Sequence, residues 1–81
     1  MATKEEIFEK VKDIVVEELD VSPSEVEMHT KFEDFGADSL NIVEVIMRFE
    51  DEFGTTIPDE VAETLTDIDK TVAYIFDNQK D

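Results

Sequence analysis

Apolar residues recur at helical intervals along this chain, and acidic residues fill many of the positions between them. From Lys4 to Leu19 they fall at three- and four-residue steps, the spacing of one face of an amphipathic helix. Thr3 and Glu6 have the spacing of a capping box, which marks the start of this helix. We therefore predict a first helix from Lys4 to Leu19 with an inward-facing set of Ile7, Val11, Ile14, Val15 and Leu19.

A second helical pattern, from Ser39 to Phe53, contains more apolar residues than one core-facing stripe needs. The stripe predicted to face the core consists of Ile42, Val45, Ile46, Phe49 and Phe53. Leu40, Val43 and Met47 then lie on another face, edged by acidic residues. An exposed apolar row of this kind suits protein docking, although the same three residues would also fit the margin of the core.

The connections between the helices carry turn and cap signals. Asp20 to Lys31 is a long first loop in which the sequence from Ser22 to Glu25 predicts one helical turn, with Val26 and Met28 as core anchors. Gly36 permits a tight turn before the second helix, and Gly54 ends that helix.

The C-terminal part predicts a short helix and a longer one. Asp59 to Thr64 is predicted as the short helix, with Val61 and Leu65 turned inward. A cap at Thr66 to Asp69 starts the last helix, and residues 78–81 are expected to fray. In this last helix we place Ile68, Val72, Ile75 and Phe76 toward the core and Thr71 and Tyr74 at its margin. The pattern is all-α, with three main helices, one short helix and no strand.

Length and charge limit the possible functions. The 81 residues are expected to form a single domain, residues 1–81. A net charge of -16 repels nucleic acids and anionic membranes and favours partners with basic patches. The charged N-terminal stretch resembles neither a signal peptide nor a membrane anchor. We therefore expect a cytoplasmic monomer with no membrane insertion, or one in an organelle stroma or matrix if a transit peptide was removed.

The chain has few residues for catalysis or metal binding. It contains no cysteine and one histidine, His29, and it lacks both the spacing of a calcium loop and a phosphate-cradling glycine loop. We expect no metal site. A hydrolase would need His29 to reach Ser39 and an oxyanion hole besides. By elimination, a binding or carrier module is favoured over an enzyme.

Ser39 is the candidate functional residue. Asp38 is a good N-cap residue, so Ser39 would lie in the first turn of a helix, where free backbone N–H groups face outward. A phosphate on its hydroxyl would be stabilised there. The alternative is that Asp38 and Ser39 form only a helix cap.

Several motifs together resemble acyl carrier proteins over nearly the whole chain. They are Gly36-Ala37-Asp38-Ser39-Leu40, Val43-Glu44, Glu50-Asp51-Glu52-Phe53 and Ile57-Pro58-Asp59-Glu60. The resemblance implies a four-helix bundle in which a phosphopantetheinyl transferase attaches 4′-phosphopantetheine from coenzyme A to Ser39. The arm would then carry acyl groups as thioesters between enzymes of fatty acid biosynthesis. Alternatives are a carrier of polyketide, aminoacyl or other acyl cargo, and an unmodified acidic adaptor.

The resemblance also implies two sets of binding residues. Basic-surfaced fatty acid synthesis enzymes and acyltransferases would dock on Asp38, Leu40, Val43, Glu44, Met47, Glu50 and Asp51, with Asp59 and Glu60 at the periphery. A pocket for the acyl chain would be formed by Phe32, Val45, Ile46, Phe49, Ile57, Ala62, Leu65, Ile68 and Thr71.

The sequence departs from the family pattern at several positions. Asn41 stands where an acid is usual, and Arg48 stands where a small residue is common. The stretch from Lys31 to Phe35 is one residue shorter than in many relatives. We expect the first two changes to make the field near Ser39 less negative than is typical, which would alter partner choice.

Overall fold

A computed structural model describes residues 1–79, in which four α-helices are joined by loops and 3₁₀ turns. The helices are α1 (Lys4–Leu19), α2 (Ser39–Phe53), α3 (Asp59–Ala62) and α4 (Ile68–Asp77), and the 3₁₀ turns are Pro23–Glu25 and Phe32–Phe35. Within residues 1–79 there is no β-strand beyond an isolated bridge between Lys31 and Asp67. The predicted all-α bundle of three main helices, one short helix and a long first loop is confirmed.

The helix starts follow the predicted caps. The Thr3 hydroxyl accepts a hydrogen bond from the Glu6 N–H at 3.1 Å, and the Glu6 carboxylate accepts one from the Thr3 N–H at 2.9 Å. At α4, the Asp67 carboxylate accepts from the Lys70 N–H at 2.8 Å. These contacts satisfy backbone donors that the first turn of a helix leaves without partners.

The core lies where α1 packs against both α2 and α4. Its largest fully buried side chains are Phe32 and Phe49. The stripe predicted for α2 does face this core: Val45, Ile46 and Phe49 are buried, and the flanking Ile42 and Phe53 are half-buried.

The long first loop is tied to the start of α4, which the sequence did not reveal. The Phe32 N–H donates to the Thr66 carbonyl, and the Ile68 N–H donates to the Thr30 carbonyl, each at 3.0 Å. A further bond joins the Asp69 N–H to the Met28 carbonyl at 2.8 Å. Phe32, whose backbone makes one of these bonds, is buried in the core.

Three details of the C-terminal half differ from the prediction. The short helix ends at Ala62 instead of Thr64. Thr71 is fully buried instead of marginal, because its hydroxyl donates to the Asp67 carbonyl at 3.0 Å and so needs no water. Phe76, expected in the core, is half-buried.

Residues after the end of α4 make hydrogen bonds to the rest of the chain. The Gln79 side-chain amide accepts from the Ala2 N–H at 2.6 Å and donates to the Ala2 carbonyl at 2.9 Å. The Asn78 N–H donates to the Tyr74 carbonyl at 3.1 Å. Because α4 ends at Asp77, Asn78 and Gln79 lie outside the helix, and their fraying stays a prediction; residues 80–81 lie outside the described range. No helix in that range is long and apolar enough to cross a membrane.

Candidate functional site

Ser39 is the first residue of α2, and its side chain is exposed. The chain reaches it through Gly36, whose positive φ of 72° ends the 3₁₀ turn Phe32–Phe35. A left-handed conformation of this kind is unfavourable for residues with a Cβ atom. The turn therefore presents the Ser39 hydroxyl at the surface, at the N-terminal end of a 15-residue helix.

Asp38 and Asn41 cap this helix reciprocally. The Asp38 carboxylate accepts from the Asn41 N–H at 2.9 Å, and the Asn41 side-chain oxygen accepts from the Asp38 N–H at 3.2 Å. Asn41 thus completes the cap with an uncharged side chain. The cap holds the helix start that carries Ser39.

The surroundings of Ser39 fit an attached phosphate. Within residues 1–79, the backbone N–H groups of Ser39 and Leu40 have no hydrogen-bond acceptor in the protein. Free amides at the positive end of a helix dipole favour an anion. The exposed Ser39 hydroxyl beside them can be esterified by a phosphate without displacing any packed group.

The three apolar residues that the periodicity left off the core stripe are exposed along one face of α2. Leu40 is 65 % exposed, Val43 53 % and Met47 58 %. Glu44 and Asp51 beside them are exposed as well. The face carries an apolar row with an acidic edge, so these residues are not the margin of the core.

Glu50 differs from the other acids of the predicted docking set. It is half-buried, and its Oε2 atom accepts a hydrogen bond from the Ile57 N–H at 2.9 Å. Its carboxylate therefore already has a partner within the domain, in the segment that precedes α3.

Arg48 extends toward α1 and pairs with two of its glutamates. Its Nη1 atom donates to Glu18 Oε1, and its Nη2 atom lies 3.6 Å from Glu17 Oε2. The hydrogen bond to Glu18 raises the pKa of the Arg48 guanidinium above its usual value. This pairing directs the Arg48 charge toward α1, and the weaker negative field expected near Ser39 stays a prediction.

The predicted pocket residues fall into two groups. Two depressions, of about 470 and 90 Å³, lie between α2 and the chain around α3, and Ile42 and Ala62 line both. Phe32 and Leu65 line the larger depression, and Ile46 and Ile57 line the smaller one. The other predicted members are closed within the core: Val45, Phe49, Ile68 and Thr71.

Ile42 was missing from the predicted pocket. It is three residues after Ser39, a spacing that places both on one side of a helix. That spacing could have identified it, because a chain attached at Ser39 would pass this face first.

His29 lies apart from Ser39 in the hydrogen bonds of the described residues. His29 is highly exposed, and its Nε2 atom lies 3.2 Å from Glu27 Oε2. No hydrogen bond joins it to Ser39 within residues 1–79. The same range contains no group of three or more His, Cys, Asp or Glu residues arranged to hold a metal ion.

Comparison with known proteins agrees with this geometry. A family model described as the phosphopantetheine attachment site matches residues 9–75, which include Ser39. The chain is 51 % identical over 71 residues to an acyl carrier protein of Campylobacter hominis, a match that covers 86 % of this chain and 90 % of that protein. It is 47 % identical over 74 residues to an acyl carrier protein of Wolinella succinogenes, with 90 % and 97 % covered. The chain belongs to the acyl carrier protein family, whose cofactor is 4′-phosphopantetheine.

Proposed function

We propose that Ser39 is the attachment residue and that this chain carries acyl groups between enzymes of fatty acid biosynthesis. The observation that carries the proposal is the exposed Ser39 hydroxyl at the start of α2, within the matched residues 9–75. The free amides of the first helical turn favour the phosphodiester that attachment creates.

The attached group supplies a thiol, which holds the acyl cargo as a thioester and which a chain without cysteine cannot supply itself. The residues of the chain anchor and present it. Asp38 and Asn41 fix the helix start, while Val45 and Phe49 hold α2 in the core. The depressions beside Ile42 offer apolar surface to part of the cargo.

The chain acts as a carrier and not as a catalyst in this proposal. Acid–base or nucleophilic catalysis needs a base within hydrogen-bond reach of the reacting group. Within residues 1–79 no hydrogen bond joins the Ser39 hydroxyl to the neighbouring Asp38 carboxylate, and His29 is paired with Glu27. Attachment and acyl transfer are therefore assigned to separate enzymes, beginning with a phosphopantetheinyl transferase.

Those enzymes are proposed to dock on the exposed row of α2 through basic surfaces. The net charge of -16 steers basic partners toward the chain, and Leu40, Val43 and Met47 supply apolar contact. Each exposed ion pair contributes only about 0.2–1 kcal/mol, so complexes of modest affinity are expected. The chain is proposed to be a cytoplasmic monomer that visits several enzymes. A carrier of this kind must dissociate from each enzyme, which modest affinity allows.

Modification by a phosphopantetheinyl transferase tests the attachment. Co-expression of the two proteins should add the mass of one phosphopantetheinyl group to the wild-type chain, measured on the intact protein. The Ser39→Ala variant should gain nothing, whereas Ser24→Ala, which removes another exposed serine, should gain the full mass. Addition to Ser39→Ala would refute the assignment. Partner complexes of the native protein that survive Ser39→Ala and contain no phosphopantetheine would favour an acidic adaptor instead.

The pathway needs a separate test. A malonyl transferase of fatty acid synthesis should load malonyl groups onto the modified protein, again seen as a mass gain. If it does not, while the phosphopantetheinyl group is present, a specialised carrier for polyketide, aminoacyl or other cargo is favoured.

A further inference from the structure

We infer that Glu50 is a positioning residue that couples partner docking on α2 to the wall of the smaller depression between α2 and α3. The inference rests on the proposed function, because it assumes that basic partners dock beside Glu50. It assigns to this glutamate a second role, inside the domain, besides that of a surface charge.

The coupling begins with the hydrogen bond between Glu50 and Ile57. Ile57 precedes Pro58, which disfavours helical backbone at Ile57 and leaves its N–H outside any helix. The Glu50 Oε2 atom accepts from that N–H at 2.9 Å. A hydrogen bond to a carboxylate is stronger than one between neutral groups, so it restrains the segment 55–58 effectively.

The same segment is held from its other side by α4. The Tyr74 hydroxyl donates to the Thr56 carbonyl at 2.9 Å. Glu50 and Tyr74 thus hold neighbouring residues from different helices. Loss of the Glu50 contact would free the side of the segment that faces α2 and leave the side that faces α4 in place.

Ile57 forms part of the wall of the smaller depression. The Ile57 side chain is 4 % exposed and forms part of the wall, together with Ile46 of α2 and Ala62 of α3. Glu50 lines the same depression, next to the exposed Val43 and Met47. The Glu50 carboxylate therefore lies at the edge of the apolar row and also on the wall of the smaller depression.

A basic partner would compete for this carboxylate. A lysine or arginine beside Met47 would draw Glu50 toward solvent and compete with the Ile57 N–H for its carboxylate. The restraint on segment 55–58 would weaken, and the wall formed by Ile57 could move. Because coupling is reciprocal, any change that loosens this bond should in turn make Glu50 more available to a partner.

Glu44 provides a matched comparison. It belongs to the same docking set and is exposed, but within residues 1–79 its side chain has no hydrogen bond to the segment before α3. The Glu44→Gln and Glu50→Gln variants each remove one docking charge. Glu50 is half-buried and its charge also restrains Ile57, whereas Glu44 is exposed and has no such contact in the described part of the chain.

Amide hydrogen exchange of Ile57, followed by NMR in the unmodified protein, tests the restraint. Glu50→Ala should accelerate this exchange by about 10- to 150-fold, the effect of losing one hydrogen bond to a charged group. Glu50→Gln keeps an acceptor oxygen and should restore most of the protection. Glu44→Gln should leave it unchanged. Exchange in Glu50→Ala as slow as in the wild type would overturn the inference.

The coupling itself is tested with a partner bound. A phosphopantetheinyl transferase without coenzyme A serves as the probe, at saturating concentration. Binding should accelerate Ile57 exchange in the wild type and in Glu44→Gln, but much less in Glu50→Gln, whose neutral amide cannot form the ion pair. A purely structural role for Glu50 would not produce this difference.

Two results would refute the coupling and separate it from the carrier proposal. Unchanged or slower Ile57 exchange in the wild-type complex would refute the coupling, even if Ser39 is modified as proposed. Unmoved α2 resonances on addition of the transferase would refute the docking surface, on which the coupling depends. The exchange data on the free protein do not depend on whether Ser39 is modified.

Discussion

Val43 and Val45 of α2 provide a direct test of which face of this helix belongs to the core. Val43 is 53 % exposed, whereas Val45 is 1 % exposed. Substituting alanine removes the same atoms from the same helix in each case. We therefore expect the two variants to change the free energy of unfolding in opposite directions.

The magnitudes follow from burial and helix propensity. At Val45, losing two buried methyl groups costs about 1.6 kcal/mol in transfer free energy, and incomplete collapse of the cavity adds to it. Alanine returns roughly 0.5 kcal/mol because it favours the helix more than valine does. The net cost for Val45→Ala is about 2 kcal/mol. For Val43→Ala the propensity gain stands nearly alone, so a stabilisation of up to about 0.5 kcal/mol is expected.

Urea unfolding followed by circular dichroism measures both variants. A domain of this size has a total stability of about 4–12 kcal/mol, so both variants should remain folded in water. The Val43→Ala protein should also be modified more slowly by a phosphopantetheinyl transferase at a concentration well below saturation. A destabilisation of more than about 1 kcal/mol by Val43→Ala would exceed what exposed sites usually show and would refute the assignment of this face.

Three further predictions concern the helix cap, the interhelical ion pair and pH. Asp38→Ala should lower the free energy of unfolding by about 1 kcal/mol in urea titrations, because it removes the cap of α2. Arg48→Ala and Glu18→Ala should destabilise less together than the sum of their separate effects, and a double-mutant cycle at increasing salt should show this coupling shrink. The hydrogen bond from the Thr3 backbone, followed by that of its side chain, lowers the pKa of the Glu6 carboxyl. The resulting stabilisation is present above the unfolded-state pKa and is lost as pH falls through the lowered value, so an NMR titration of Glu6 should have a higher midpoint in Thr3→Ala.

Local features were predictable from the sequence because they depend on neighbouring residues. The start of α1 follows from the Thr3 and Glu6 spacing, and that of α2 follows from Asp38. The exposed row of α2 follows from periodicity, because a helix with too many apolar residues for one stripe must expose some of them. Gly36 and Gly54 were placed at turns, where both have positive φ.

Long-range contacts were not predictable from the same patterns. Arg48 reaches Glu18 across 30 residues of sequence, and nothing in the spacing of the two indicates that they pair. The role of Glu50 depends on the N–H of Ile57, which the sequence presents only as a residue before proline. In each case a residue assigned to the surface by its charge has a partner in another part of the fold.

The pocket residues show a further limit of prediction from sequence. The resemblance grouped nine apolar or small residues, but the structure separates those that line a depression, such as Ile46 and Leu65, from those closed in the core, such as Phe49 and Ile68. Sequence periodicity indicates that a residue faces inward. It does not show whether an inward-facing residue lines a surface depression or is closed within the core.

The unequal burial of the helices bears on how the domain would accommodate cargo in the proposed function. α1, α2 and α4 each contribute buried residues, whereas α3 has none and its Val61 and Ala62 are only half-buried. Segments with few buried contacts open at the lowest free-energy cost. Ser39 lies on α2, which Phe49 fixes in the core, so the point of attachment keeps its place relative to a docked enzyme. The opposite wall, formed by α3 and the segment that Glu50 and Tyr74 restrain, is the part that can yield, and cargo of different lengths would then be accommodated without moving the anchor.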